Sequence, residues 1–349
     1  MSSTAATHCE GDTPGPTIRI SIIVPVYNGR TALECCLAAL DDDREPDVEI
    51  IVVDDGSTDG SGAVAASTGA RVFRLDRNAG VAAARNHGAR HARGDILFFV
   101  DADVALLSGM LDRVRTVLDA RPEIAAVFGS YDMNPAARGT VSRYKNLLHH
   151  FVHQSAEPEA STFWAGCGAI RRAVFAKVGG FDQARFQRPS IEDIELGYRL
   201  RRAGYRILLD KALQGTHLKR WTLRSLLRTD IKDRAVPWTR LLLESRQVPD
   251  HLNLRRDQRL SSALVAVSAG ALLVVPWRPE LVVIPVAALG AVIGINRHLY
   301  RFFLQRGGFL FAGSALLLHW LYYLYGGLAY LAVWADLRLR ALGVAARRH

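Results

Sequence analysis

The sequence predicts an α/β domain built on a mostly parallel sheet, followed by an α-helical region suited to a membrane. Three observations predict it. Apolar, strand-like runs alternate with helical segments from Ile18 to Val100, and such alternation builds right-handed crossover units on a parallel sheet. Polar or acidic residues close three of those runs, at Pro25-Val26-Tyr27-Asn28, Asp54-Asp55 and Asp101-Ala102-Asp103. After Leu260 the chain turns to long apolar stretches.

Ile18 to Pro25 reads as the first strand, with a proline at its end, and Thr31 to Leu40 as a helix. Val48 to Val53 is a second strand closed by Asp54-Asp55-Gly56-Ser57. Ser61 to Thr68 is a short alanine-rich helix, Ala70 to Leu75 a third strand, Val81 to Arg93 a helix and Ile96 to Val100 a fourth strand. Ligands of parallel sheets bind beyond the carboxyl ends of the strands. The three polar closures all fall there, which points to one nucleotide site.

The second half is organised differently. Leu223, Leu226, Leu227 and Ile231 follow helical spacing beside Arg224, Arg228 and Lys232, as in an amphipathic helix lying on a bilayer. An ordinary surface helix has the same pattern. Ser261 to Val275 and Leu281 to Ile295 are apolar but short, and Pro276 and Pro279 separate them. A membrane hairpin, a re-entrant pair and buried core helices all fit. Phe309 to Ala335 is long enough for a span, which needs roughly 20 apolar residues. The expected divisions are a disordered lead-in at 1–17, a catalytic domain at 18–220, interface helices at 221–259, membrane helices at 260–336 and a basic tail at 337–349. The polar first 17 residues show no signal-peptide pattern. Basic residues from Arg297 to Arg306 and in the tail should both face the cytoplasm, which leaves the number of spans open.

The formal net charge is +10, from 44 Lys+Arg against 34 Asp+Glu. With basic residues beside apolar spans and no zinc-finger or RNA-binding signature, anionic lipid is the expected partner and nucleic acid is not. The four cysteines include no Cys-x-x-Cys pair, so neither a disulfide framework nor a zinc site is implied.

Asp101 and Asp103 place two hard oxygen donors where a strand ends, a pattern suited to Mg2+ or Mn2+ holding substrate phosphates. A polar turn reads the same way when taken alone. Gly60-Ser61-Gly62-Ala63-Val64-Ala65 fits a dinucleotide fingerprint only superficially. It follows the second strand, not the first, which argues against hydride transfer.

Val24-Pro25-Val26-Tyr27-Asn28, Val53-Asp54-Asp55-Gly56-Ser57-Thr58-Asp59-Gly60 and Asp101-Ala102-Asp103 resemble, in this order and spacing, the family-2 glycosyltransferases of the GT-A fold. Asn78 to Asn86, Gly166 to Arg172, Gly179-Gly180-Phe181-Asp182 and Glu192-Asp193 match further segments of that family, and the resemblance runs from about Ile18 to Trp221.

The resemblance implies an inverting transferase that uses a nucleotide-sugar donor, with UDP favoured. Pro25, Val26, Tyr27, Asn28, Asp54, Asp55, Arg85, Asp101 and Ala102 would line the nucleotide site. Tyr27 would meet the base, Asp55 (or Asp54 in its place) would accept from the base imide, and Arg85 would reach the diphosphate. Asp101 and Asp103 would hold the divalent metal. Asp193 would be the general base, with Glu192 orienting the acceptor. Trp164, Gly166, Cys167, Gly168, Arg220 and Trp221 would contact acceptor or phosphate. Processive members carry Gln-x-x-Arg-Trp where this chain has His217-Leu218-Lys219-Arg220-Trp221. The change makes His217 a candidate third metal ligand and implies transfer of a single sugar. The expected acceptor is a hydroxyl on a lipid-linked or saccharide molecule at the cytoplasmic face of the cell membrane. A polyprenyl-phosphate acceptor and an inactive membrane-tethered nucleotide-sugar-binding scaffold are the alternatives.

Overall fold

The computed structural model describes residues 18–43, 45–245 and 255–346. The expected lead-in at 1–17, part of the interface segment at 246–254 and the last three residues lie outside them.

The α/β part runs β1 (Ile20–Val26), α1 (Arg30–Asp41), β2 (Val48–Asp54), α2 (Ser61–Ser67), β3 (Arg71–Arg74), α3 (Val81–His91), β4 (Ile96–Val100), β5 (Val104–Leu106), α4 (Met110–Ala120), β6 (Ile124–Tyr131), α5 (Thr140–Ser155), β7 (Glu159–Ala160), β8 (Cys167–Arg171), α6 (Arg172–Lys177), α7 (Glu192–Arg202) and β9 (Arg206–His217). The sheet order is β3-β2-β1-β4-β8-β6-β9-β5, with β7 also on β9. Strands β3, β2, β1 and β4 are parallel. β8 runs antiparallel to both β4 and β6, and β6 is parallel to β9.

That mixture sets the position of the site. Because β8 reverses between β4 and β6, strands β6 and β9 point the same way as β4. Val26, Asp54, Val100, Tyr131 and His217 therefore end at one edge, and Cys167 begins there, opposite Val100.

Both faces of the sheet are covered, which is why its central strands read as continuous apolar runs rather than alternating ones. Ile20, Ile22 and Val24 point to one layer with Leu33 and Leu37 of α1 and Val114 of α4. Ile23, Phe99 and Phe128 point to the other, with Ala82 of α3, Phe175 of α6 and Leu196 of α7. Side chains alternate across a strand, so Ile22 and Ile23 serve different cores.

At Gly129, β6 passes so close to β9 that an added Cβ would lie 1.9 Å from the Leu213 carbonyl oxygen. Backbone atoms of two paired strands have little room to yield. Gly129→Ala should therefore destabilise the domain by about 3 kcal/mol, the cost of overpacking, measured as a fall in the denaturant midpoint. An unchanged midpoint would mean that the strands separate without cost.

Beyond the sheet, α8 (Leu223–Arg228) leads into a π-helix (Thr229–Ala235) and α9 (Val236–Ser245). Thr222 caps α8 through a reciprocal box with Ser225. The leucine spacing predicts one regular helix; the register instead widens at Thr229, where Asp230 is drawn inward and buried. Next come α10 (Arg256–Val274), α11 (Val283–Ile295) and α12 (Arg297–Ala346). The expected basic loop at 297–306 is helical. The break comes at Gly308, whose φ of 71° only glycine adopts freely. Arg297–Leu342 is the one helix among the described residues long and apolar enough to cross a membrane, and Pro279–Ile295 is a shorter apolar helix. Tyr144 and Leu147 of α5 pack with Leu299, Phe303 and Phe311 of α12, joining the long helix to the α/β part.

Candidate active site

β4 delivers Asp101 to the shared edge, where its N–H bonds to the Gly166 carbonyl at 3.1 Å and its carbonyl accepts from Cys36 Sγ at 3.7 Å. The chain turns at once into β5, and Val104 pairs with His217. This brings Asp103 Oδ2 within 3.8 Å of His217 Nε2. The His217 ring stacks on Tyr131, at the end of β6, with centroids 4.1 Å apart and planes 12° apart. Tyr131 also meets Trp164 edge-on at 4.9 Å, and His149 lies 4.7 Å from Trp164.

Arg85 rises from α3 beneath these groups, with its side chain only 4% exposed. One end of the guanidinium donates to Asp101 Oδ1 and the other to Glu192 Oε1, each at 2.7 Å. Glu192 Oε2 accepts the Ser190 N–H at 2.9 Å, so both its oxygens are committed. Arg85 was read from sequence as a diphosphate contact; here it is the buried counter-charge for two carboxylates. Arg85→Met would leave those carboxylates unpaired, destabilising the fold by about 3 kcal/mol at neutral pH. Without the guanidinium the burial that already raises the Asp101 carboxyl would act unopposed. The cost of that buried charge would grow as pH rises and shrink near pH 4, as the carboxyl is protonated. Melting curves at the two pH values would show a gap that narrows in acid. A gap that widens there would refute the pairing.

Asp193, beside Glu192 at the start of α7, is arranged differently. Oδ1 accepts its neighbour Ile194's N–H at 2.8 Å, and Oδ2 accepts the Ala165 N–H at 3.2 Å. Burial, reinforced by the Glu192 charge and opposed by Arg85, pushes its carboxyl up to about 7. Burial also raises Asp101, against the pull of Arg85. At Asp103 burial acts in the same direction but is outweighed by His217 and Lys219, so its carboxyl sits below the usual range. One edge thus combines a carboxylate held ionised with another poised near neutrality.

The neighbouring edge over β1 and β2 holds the other expected residues. Pro25 and Val26 lie within β1, and the Val26 carbonyl accepts the Asp55 N–H at 2.8 Å. Asn28 adopts a left-handed φ of 50° and accepts the Thr58 N–H at 2.8 Å. Asparagine is one of the few residues that take this conformation readily. Tyr27 projects outward, 52% exposed. Asp54 is fully buried, bound by Arg74 at 2.8 Å and the Ser57 N–H at 2.7 Å. Asp55 receives the N–H groups of Ala79 and Gly80 at 2.7 and 2.9 Å. Both aspartates hold the loops together, and Tyr27 and Asn28 are exposed beside them. Ala102 packs against the first core, Gly168 stands opposite Phe99, Arg220 is exposed and Trp221 is buried.

Tyr131, His149, Lys145 and Asp230 also border this region, and no sequence motif singles them out. Their partners lie tens of residues away, so only the folded sheet brings them together.

The fold is an α/β domain on a mixed, mostly parallel sheet, with its acidic residues gathered at one sheet edge. Residues 21–179 match the model of glycosyl transferase family 2. The chain is 31% identical over 233 residues to validoxylamine A glucosyltransferase of Streptomyces hygroscopicus subsp. limoneus, covering 55% of this chain and 50% of that protein. It is 31% identical over 176 residues to a glycosyltransferase of Haemophilus influenzae, covering 47% and 57%. It is 39% identical over 99 residues to the glycosyltransferase EpsJ of Bacillus subtilis, covering 27% and 29%. The matched stretches thus span about half or less of most of these relatives. Among solved structures it is similar to a mannosyltransferase of Pyrobaculum calidifontis in complex with GDP-Man and Mn2+, at a TM-score of 0.49 and 20% identity, covering 91% of this chain and 89% of that one. Residues 21–179 are thus similar to family-2 glycosyltransferases, and the curated relatives that the chain matches are glycosyltransferases.

Proposed function

We propose that the protein transfers a single sugar, with inversion, from a nucleoside-diphosphate donor (UDP before other nucleotides) to a hydroxyl of a lipid-linked or saccharide acceptor. The observation that carries this reading is Asp193, a carboxyl pushed up to about 7 at the same sheet edge as Asp101 and Asp103. A general base works best with a pKa near the working pH. A hydroxyl acceptor needs such a base, whereas a phosphate nucleophile does not.

In this reading Asp193 takes the proton from the acceptor hydroxyl as that oxygen attacks the anomeric carbon. Glu192, bonded to Arg85 and to the Ser190 N–H, fixes the start of α7 and so the direction in which Asp193 is presented. Tyr27 offers its exposed ring to the base, and Asn28 shapes the turn beneath it. Trp221 and Trp164 offer apolar faces for a sugar.

A divalent ion fits the donor set. Asp103 and His217 already lie side by side, and Asp101 has one oxygen engaged by Arg85. Among the described residues no group of three such side chains is preassembled. Mg2+ or Mn2+ would keep several positions for water and substrate phosphates. When bound, the ion would neutralise charge on the departing diphosphate.

The long apolar helix and the basic residues along it support a membrane-bound enzyme with its catalytic part on the cytoplasmic side. To test the acceptor class, purified enzyme would be given a lipid-linked saccharide and a polyprenyl phosphate in parallel, and the anomeric configuration of each product determined. Transfer to a sugar hydroxyl with inversion is expected. Transfer only to the phosphate would make the polyprenyl-phosphate reading correct.

A further inference from the structure

Ser142 and Lys145 stand one turn apart on α5 and hold two segments side by side. Ser142 Oγ accepts the Trp221 N–H at 2.8 Å. Lys145 Nζ donates to Asp230 Oδ1 at 2.5 Å. The other Asp230 oxygen accepts from the Tyr325 hydroxyl of α12 at 2.6 Å. A second tether runs to the catalytic helix, where Ser190 Oγ donates to the Asp233 carbonyl at 2.8 Å, two residues before Glu192. The π-helix is therefore pinned between α5, the apolar helix α12 and the loop that opens α7. Such a register shift is often found at functional sites.

The pinning has a consequence for Arg234. Its natural partner would be Asp230, four residues earlier, but both oxygens of Asp230 are already taken. Arg234 makes no hydrogen bond or ion pair among the described residues and is exposed. The groups acting on its charge are Asp230 first, then Tyr131, Asp193 and Glu192, and the bond between Ser190 and the Asp233 carbonyl sets its backbone beside the loop that opens α7. Lys219 is likewise exposed, with Nζ 4.5 Å from the centre of the Trp221 ring. The Trp221 indole Nε1–H is buried without a partner. Two exposed cations without a hydrogen bond or ion pair among the described residues thus stand on the two segments that α5 holds side by side, with a buried, unpartnered N–H donor next to Lys219.

We infer that Arg234, with Lys219 and the Trp221 indole N–H, forms a subsite for a phosphate ester carried by the lipid-linked acceptor. A guanidinium without a hydrogen bond or ion pair among the described residues is open to the planar, multi-point recognition of phosphate. The place suits a lipid, because the same π-helix is bonded to Tyr325 on the apolar helix. The proposal rests on the transferase reading above, since it assigns the phosphate to the acceptor and not to the donor.

The test uses full-length protein in detergent and measures binding of farnesyl phosphate and of farnesol, with and without saturating nucleoside diphosphate and Mn2+. Farnesyl phosphate should bind the nucleotide-loaded protein, and R234Q should weaken it by about tenfold, the worth of one charge-assisted contact. R234K should recover part of the loss, K219Q should show a smaller one, and farnesol should bind all forms alike. Equal binding by wild type and R234Q would overturn the proposal. So would exclusion of farnesyl phosphate by the nucleotide, because the guanidinium would then serve the donor diphosphate. Failure of the transferase reading looks different: neither UDP, GDP nor dTDP would bind the wild type with Mn2+. Even then, comparing wild type with R234Q in the absence of nucleotide decides the phosphate site.

Discussion

Asp193→Asn should reduce sugar transfer by about 1,000-fold, the usual worth of a well-placed general base, and leave nucleotide affinity intact. The same substitution should stabilise the fold at alkaline pH. The Asp193 carboxyl sits at about 7 in the native protein against an ordinary 3.8. A carboxyl raised on folding favours the native state only while protonated. That contribution is complete below about pH 4 and is lost as pH rises through about 7. Asparagine carries no charge to penalise, so the variant should melt higher than wild type at pH 8, with the advantage vanishing near pH 4. Wild-type turnover should run the opposite way, rising through pH 7 as the base ionises. A residue with only a structural role would lose stability and activity together. Higher stability with lost activity at pH 8 is the signature of a strained catalytic group. Unchanged transfer by the Asn variant would remove Asp193 from the mechanism.

Asp103→Asn is the second large effect. Asp103 is the carboxylate beside His217, and its charge is favoured by His217 and Lys219 against the cost of burial. Replacing it keeps the shape but discards the charge a divalent ion needs. Turnover should fall by on the order of 100-fold or more, because charge neutralisation by the ion is worth several kcal/mol. Mn2+ binding in the presence of UDP, followed by electron paramagnetic resonance, should weaken in parallel. His217→Gln, which restores the residue of processive relatives, should weaken Mn2+ less. If Asp103→Asn bound Mn2+ as wild type does, the ion would belong elsewhere.

The α/β half was legible because each strand is a short apolar run and each turn is polar. Strand β4 could be read from Ile96 to Val100 because both faces are buried, and the acids following it marked the edge. The reversed strand β8 was harder: Gly166 to Arg172 stood out as a motif, but nothing in it signals that it inserts antiparallel between β4 and β6. That insertion brings Tyr131 and His217 beside Asp103, and so the ring stack was invisible in the sequence. Arg85 was noticed, but its two carboxylate partners were not legible, since they come from the end of β4 and the start of α7. The π-helix was missed for a different reason. Its leucines keep helical spacing, and the wider turn coincides with Asp230 reaching Lys145 and Tyr325, contacts set by tertiary packing. The apolar helices were evident from composition, whereas the break at Gly308 falls just past the basic stretch 297–306, before the apolar run that begins at Phe309.

The most direct test of the account is hydrolysis of a panel of UDP-, GDP- and dTDP-sugars by detergent-purified protein, with and without Mn2+. Slow release of nucleoside diphosphate from one UDP-sugar, dependent on Mn2+ and lost in Asp103→Asn, is the predicted result. Release that ignores Mn2+ and survives Asp103→Asn would contradict the assignment of this sheet edge as the donor site.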